Sequence, residues 1–220
     1  MFMQIINWEE YISPHYPLST SPQPLALTVG VFDGVHLGHQ ALIRQICAPP
    51  ASNDLLYPLP ATHYPLPTVV TFRQNPLKIL RPDAFAGDIY PLEQRLSVLE
   101  ELGVRLAVLI DFSGEFSKMN GRDYIDLLLG SERDADSRPV KLIALGRNFR
   151  CGCGLDTGVA EIQGLAAARG VETWVAEPVI DEGRPVSSSR IRQALAAGRL
   201  GEAERLLGRP IDSPTLLCSQ

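Results

Sequence analysis

The chain has 220 residues, a formal charge of −5, and 45% hydrophobic and 20% charged residues. That length carries one α/β domain with a full core, and the composition is that of an ordinary globular protein. A mildly acidic chain without an aromatic-interleaved basic patch argues against nucleic acid as a partner, and no apolar run approaches the roughly 20 residues of a membrane span.

The first residues, MFMQIINWEEY, lack a basic stretch followed by a continuous apolar one. They do not read as a signal peptide, and the expected location is cytoplasmic. Ile5–Tyr11 suits a short helix or strand, and Pro14–Pro24 a proline-rich connection. Cys47, Cys151, Cys153 and Cys218 show no zinc-like pairing of C-x-x-C motifs, so reduced thiols and no metal site are expected. The oligomeric state is left open.

Leu25–Ile46, LALTVGVFDGVHLGHQALIRQI, is the most informative stretch. Leu25–Phe32 is a short apolar, β-branched run that suits a strand buried on both faces. Asp33–Leu37 is a tight loop holding Gly34. Leu42, Ile43 and Ile46 then mark one face of a helix beginning at Gly38. A strand, a glycine-bearing turn and a helix N-terminus make a phosphate site, because unpaired N–H groups and the helix dipole face the loop. His36 and His39, three residues apart, can donate hydrogen bonds to phosphate oxygens. Gly38 between them lets phosphate approach the backbone. The plain alternative is a pair of partly exposed loop histidines, and the flanking strand and helix weigh against it.

Ala48–Pro67 contains Pro49, Pro50, Pro58, Pro60, Pro65 and Pro67 and reads as a loop or insertion. His63, within it, is given no role. Strands are expected at Thr68–Phe72, Arg105–Ile110, Lys141–Leu145 and Val171–Val175. Helices are expected at Leu92–Leu102 (stopped by Gly103), Asn120–Leu129 (stopped by Gly130), Thr157–Arg169, Ser187–Ala197 and Glu202–Leu207. Strands alternating with helices imply an α/β fold with a parallel sheet flanked by helices, whose ligands bind beyond the strand C-termini.

Pro185–Arg192, PVSSSRIR, begins a helix with three serines, one for the cap and others free to meet a phosphate. Arg192 carries a fork that matches phosphate oxygens. Arg184, Arg190, Arg192, Arg199, Arg205 and Arg209 form a local excess of arginine in an acidic protein, which suits a phosphorylated small molecule. Simple helix capping with surface arginines is the alternative.

TVGVFDGVHLGHQALI resembles the first motif of the bacterial FAD synthetases, the adenylyltransferase half of the bifunctional riboflavin kinase/FMN adenylyltransferases. The H-x-G-H element is shared across the Rossmann-like nucleotidyltransferases, and the flanking V-x-F-D-G-V-H points to the flavin branch. PVSSSRIR resembles the I-S-S-T-x-x-R motif, with Val186 and Ser189 as conservative changes. LGRNFRCGCG at Leu145–Gly154 resembles G-x-(N/D)-F-x-F-G, with Cys151 in place of the second aromatic. TFRQNP at Thr71–Pro76 stands where T-F-x-P-x-P is expected, with Gln74 for the first proline. The resemblance covers roughly Leu25–Pro210.

It implies a single nucleotidyltransferase domain over residues 1–220, core about 25–210, that transfers AMP from ATP to FMN with Mg2+, giving FAD and pyrophosphate. His36, His39, Ser188 and Arg192 would be catalytic. Gly30, Phe32, Asp33, Gly34, Gly38, Ser187 and Ser189 would bind the nucleotide, and Phe72, Asn148 and Phe149 the flavin. Nucleotidyl transfer to another phosphorylated acceptor, or catalytically weak nucleotide or flavin binding, stays open. AERLLGRP at Ala203–Pro210 resembles the lead into the family's kinase barrel, and with ten residues after it no riboflavin kinase domain is expected.

Overall fold

The structure, a computed structural model, describes residues 2–13, 23–47, 64–130 and 140–211. Most of the two proline-rich connections lies outside these residues, as do His63, Cys218 and the chain beyond Ile211.

Strands β1 (Gln4–Asn7), β2 (Leu25–Val29), β3 (Leu66–Phe72), β4 (Leu106–Ile110), β5 (Val140–Gly146) and β8 (Glu172–Ala176) form one sheet in the order β1-β4-β3-β2-β5-β8. Every pairing within it is parallel. The expected α/β class is observed, with one strand more than expected. Ile5–Tyr11, read as helix or strand, is divided between β1 and a short helix, α1 (Trp8–Ile12).

Two two-stranded hairpins flank the sheet: β6 (Arg150–Cys151) with β7 (Thr157–Gly158), and β9 (Ile180–Asp181) with β10 (Arg184–Pro185). The first of these corrects the helix expected from Thr157. Thr157 and Gly158 pair with Cys151 and Arg150, and the helix α6 begins only at Val159 and ends at Ala167. Thr157 is buried against Gly121, and Asp156 Oδ1 accepts the Gly121 N–H at 2.9 Å. Those contacts outweigh a helical pattern that a single sequence cannot distinguish from them.

All five residues of β2 are buried, and alternate side chains enter opposite cores. Leu25, Leu27 and Val29 join Trp8, Tyr11, Tyr124, Ile125, Leu128 and Ile162, so this face is covered by α1, α5 (Gly121–Leu129) and α6. Ala26 joins Leu42, Ile43, Ile46, Val98 and Leu99 from α2 (Leu37–Cys47) and α4 (Leu92–Glu101). This is the pattern of a sheet buried on both sides, and each fully buried leucine or isoleucine contributes about 1.5–3 kcal/mol. A short helix, α3 (Leu77–Leu80), follows β3. A third cluster joins α7 (Ser188–Ala196) and α8 (Leu200–Leu207) to Ile89 and Tyr90. None of the described helices is long and apolar enough to cross a membrane.

The chain runs from β2 outward to β3 and β4, then crosses back to place β5 on the other side of β2. The strand order therefore reverses at the C-terminal ends of β2 and β5, where open α/β sheets bind ligands. The H-x-G-H segment follows β2 directly.

Candidate active site

The strand expected to reach Phe32 stops at Val29, because the backbone turns sharply there. Gly30 N–H still reaches Val70 O at 3.1 Å, and then Phe32, Gly34 and Val35 all take positive φ, at 51°, 77° and 40°. Two of these are not glycine, and each such residue stores roughly 1–3 kcal/mol unless its surroundings hold it. Phe32 is fully buried with its ring edge-on to His39, centroids 5.1 Å apart. Val35 is fully buried, and its carbonyl accepts from Gln40 Nε2 at 3.1 Å and Arg209 Nη2 at 3.0 Å. At Gly34 a Cβ would meet Ile89 Cγ2 at 3.0 Å and Leu207 Cδ2 at 3.2 Å.

Asp33, expected to line the nucleotide pocket, is instead 2% exposed and occupied by protein groups. Its Oδ1 accepts Ile89 N–H at 2.8 Å, its Oδ2 pairs with Arg192, and its carbonyl accepts Ser188 Oγ–H at 2.9 Å. Burial pushes its carboxyl up, and Arg192 and the Ile89 N–H oppose that shift.

His36 and His39 come together as the H-x-G-H spacing implies. Their rings stack, centroids 3.6 Å apart and 17° from parallel. His39 N–H donates to His36 Nδ1 at 3.4 Å, so that nitrogen carries a lone pair. Burial pulls His36 down to about 4. His39 falls well below the usual imidazole value, by burial first and then by His36 and Arg95. Burial thus favours the neutral form of both imidazoles at pH 7. His39 Nδ1 is enclosed with no hydrogen-bond partner among the described residues.

The start of α7 meets the start of α2. A Cβ on Gly38 would lie 3.7 Å from Val186 O and 3.1 Å from His36 Cε1, so only glycine fits this gap without displacing a ring. Ser187 is the N-cap, its Oγ accepting Arg190 N–H at 3.3 Å, while Ser188 Oγ is spent on Asp33 and Ser189 is exposed. Two helix N-termini thus converge at the switch point, and their dipoles, with the first-turn N–H groups not taken up by His36 and Ser187, favour an anion there.

The arginine excess has a different role from the one expected. Arg190, 7% exposed, pairs with Asp181 at 2.5 Å and Glu202 at 3.3 Å; Arg205 pairs with Asp181 and Glu182, and Arg199 with Glu202. These pairs fasten the β9–β10 hairpin to α7 and α8. Arg192 donates Nε–H to Gly87 O at 2.9 Å as well as pairing with Asp33.

Arg95 in α4 was not singled out from the sequence. It is 3% exposed and donates to Val31 O at 2.8 Å and Phe72 O at 2.5 Å. An arginine on the same helical face as Leu99 was the available signal.

Phe72, Phe149 and Cys151 are partly buried and pack on the core face opposite α2, together with Phe116 and Met119. Phe72 also meets Phe112 edge-on at 5.6 Å, and Phe112 meets Phe116 at 5.7 Å. Phe72 ends β3 and Phe149 follows β5, so the strand ends they flank are roughly 10 Å apart across β2. Asn148 is exposed in the turn after β5. Gln74 Nε2 donates to Phe112 O at 3.3 Å, tying its loop to the same aromatics. Burial pushes the Cys151 thiol up to about 12, so it packs as a small neutral group.

The model of the FAD synthetase family matches residues 18–190. The bifunctional riboflavin kinase/FMN adenylyltransferase of Escherichia coli K12 is 31% identical over 195 residues, 88% of this chain and 57% of that protein. The protein of the same name from Listeria monocytogenes is 28% identical over 89% of this chain and 58% of its own length. This chain therefore spans just over half the length of the curated relatives it matches. A solved structure from Streptococcus pneumoniae, described as a macrolide-efflux protein, superposes with a TM-score of 0.67 at 27% identity, covering 94% of this chain and 62% of that one.

Proposed function

This chain belongs to the FAD synthetase family, and from that premise we propose that it transfers AMP from ATP to FMN, releasing pyrophosphate and forming FAD. The observation that carries the reading is the convergence of the α2 and α7 N-termini on a stacked pair of neutral histidines at the sheet's switch point. The FMN phosphate attacks the α-phosphate of ATP in line. It needs little help from a base, because a phosphate monoester is largely dianionic at pH 7. Catalysis is then positioning and stabilisation of developing charge.

His36 and His39 donate to the α-phosphate oxygens as charge builds. The N–H groups at Ser187–Ser189 receive the β- and γ-phosphates, with Arg192 beside them. Gly30, Phe32, Asp33 and Gly34 act indirectly, by holding the strained loop in shape, and Gly38 leaves room for phosphate.

Among the described residues no three His, Cys, Asp or Glu gather to cage a cation. Mg2+ would enter with ATP, where it would supply neutralisation of phosphate charge. The aromatic rim of Phe72, Phe112, Phe116 and Phe149 favours a flat, apolar acceptor such as isoalloxazine over a small polar phosphate ester, with Asn148 free to meet its edge. A single nucleotidyltransferase unit, with its core from about Leu25 to Pro210, and a cytoplasmic location go with this reading.

The test is pyrophosphate release from ATP and Mg2+ with FMN, phosphopantetheine or choline phosphate, using wild type and His39→Ala. FMN should be the preferred acceptor, and the variant should lose about 10²-fold or more in turnover while still binding ATP. Preference for another acceptor would refute the flavin assignment, and undiminished turnover would remove His39 from the mechanism.

A further inference from the structure

Arg95 is a cation where a hydrocarbon would ordinarily stand. It lies on the α4 face that buries Val98 and Leu99, and it is itself 3% exposed. A buried charge is costly unless hydrogen-bonded and paired. Its guanidinium reaches Val31 O at 2.8 Å, Phe72 O at 2.5 Å and, more loosely, Arg73 O at 3.5 Å. These carbonyls end β3 and begin the loop after β2, so one side chain joins both segments. Its Nε is enclosed without a partner among the described residues.

The charge balance around it is uneven. Asp33 and Asp88 act on Arg95 only through space. Asp33 is already paired with Arg192, and Asp88 with Lys78 at 3.0 Å. Three cations thus share two carboxylates, and the stacked histidines beside them are neutral. His39 feels the excess, since Arg95 is among the groups that hold its imidazole unprotonated. We propose that Arg95 is a positioning residue of the phosphate site, fastening the loop after β2 to the end of β3 and holding a fixed positive charge that an incoming polyphosphate balances.

The inference rests on the adenylyl-transfer reading for its ligand, and the test separates the two. Arg95→Gln keeps polar contacts and removes the charge; Arg95→Lys keeps the charge and loses the fork. Binding of ATP, AMP and adenosine is measured calorimetrically, and the imidazole titrations of His36 and His39 by NMR. Arg95→Gln should bind ATP about tenfold more weakly, AMP less affected, and adenosine unchanged. Its His39 midpoint should rise, while Arg95→Lys stays near wild type in both readouts. Equal losses for ATP and adenosine, or none, in a cooperatively folded Gln variant would overturn the proposal. Should the Gln variant fail to fold, the Lys variant decides: retained preference for ATP over adenosine supports a role for the charge, and loss of that preference overturns it. If wild type binds no ATP, the adenylyl-transfer reading fails, while a raised His39 midpoint in the Gln variant still supports the fixed charge and an unmoved one overturns it.

Discussion

Gly38→Ala separates activity from stability at the point where the two helix N-termini meet. Gly38 is the second residue of α2 and does not have a positive φ. Alanine therefore suits its backbone and is favoured over glycine in a helix by up to about 1 kcal/mol. The added methyl would meet His36 Cε1 at 3.1 Å and Nδ1 at 3.2 Å, with Val186 O at 3.7 Å on its far side. Comfortable carbon contacts lie near 3.5–4.0 Å, so the ring must retreat by roughly 0.3–0.5 Å. It cannot retreat freely, because His39 is stacked against it at 3.6 Å. Overpacking of this kind costs about 1–3 kcal/mol, so the helix gain leaves a net loss of about 0–2 kcal/mol. The effect on chemistry is larger in proportion. A 1 Å misplacement is associated with losses of about 10²-fold, so a smaller shift of both imidazoles should lower kcat/KM by about tenfold. FAD formation and urea unfolding, measured on the same preparation, check both numbers. A variant with kcat/KM within about twofold of wild type would refute the claim that a side chain at position 38 displaces His36 and takes room needed by phosphate.

Two further outcomes follow from the charges. Arg192→Lys cannot keep both the Gly87 carbonyl and the buried Asp33 carboxylate, so urea unfolding at pH 7 should show a loss of about 1.5–3 kcal/mol, alongside a raised KM for ATP; unchanged unfolding would mean that the Asp33 tie contributes nothing. His36 titrates near 6.5 when unfolded but at about 4 when folded, so the unfolded chain binds the proton first. Stability should be full above pH 6.5 and fall by up to about 3 kcal/mol as pH drops from 6.5 to 4; His36→Gln should flatten that slope, and an unchanged slope would place His36 in a more exposed setting.

The alternation of buried strands and amphipathic helices was legible because both periodicities are local. Leu92–Leu102 and Asn120–Leu129 ended within a residue of the observed helices, with Asn120 accepting Asp123 N–H at 2.8 Å as its cap and Gly103 and Gly130 in positive φ. The β6–β7 hairpin was not legible. Its pairing depends on Asp156 and Thr157 docking against Gly121, about 35 residues away in the chain, and no local pattern encodes that contact. The end of β2 was misjudged for a related reason. Val31 and Phe32 look like strand residues, and the positive φ of Phe32 goes with a ring buried edge-on against His39 across the loop, a packing that residue type does not encode.

The same distinction explains the site. His36, His39 and Gly38 form a motif whose geometry is set within one helical turn, so their juxtaposition could be read from spacing. The arginines from Arg184 to Arg209 could not be assigned by counting, because each cation's role depends on which carboxylate reaches it. Asp181, Glu182 and Glu202 take up Arg190, Arg199 and Arg205, and these pairs fix the β9–β10 hairpin, α7 and α8 to one another. That changes the source of the attraction for phosphate. On the proposed function it would come less from a crowd of arginines than from two helix N-termini, held in register by the Ser188–Asp33–Arg192 linkage, and from the proposed fixed charge of Arg95 on the Val31 and Phe72 carbonyls. Preorganised N–H groups and one buried cation need little rearrangement when charge develops in the transition state, whereas flexible surface arginines would first have to be ordered, at a cost in side-chain entropy.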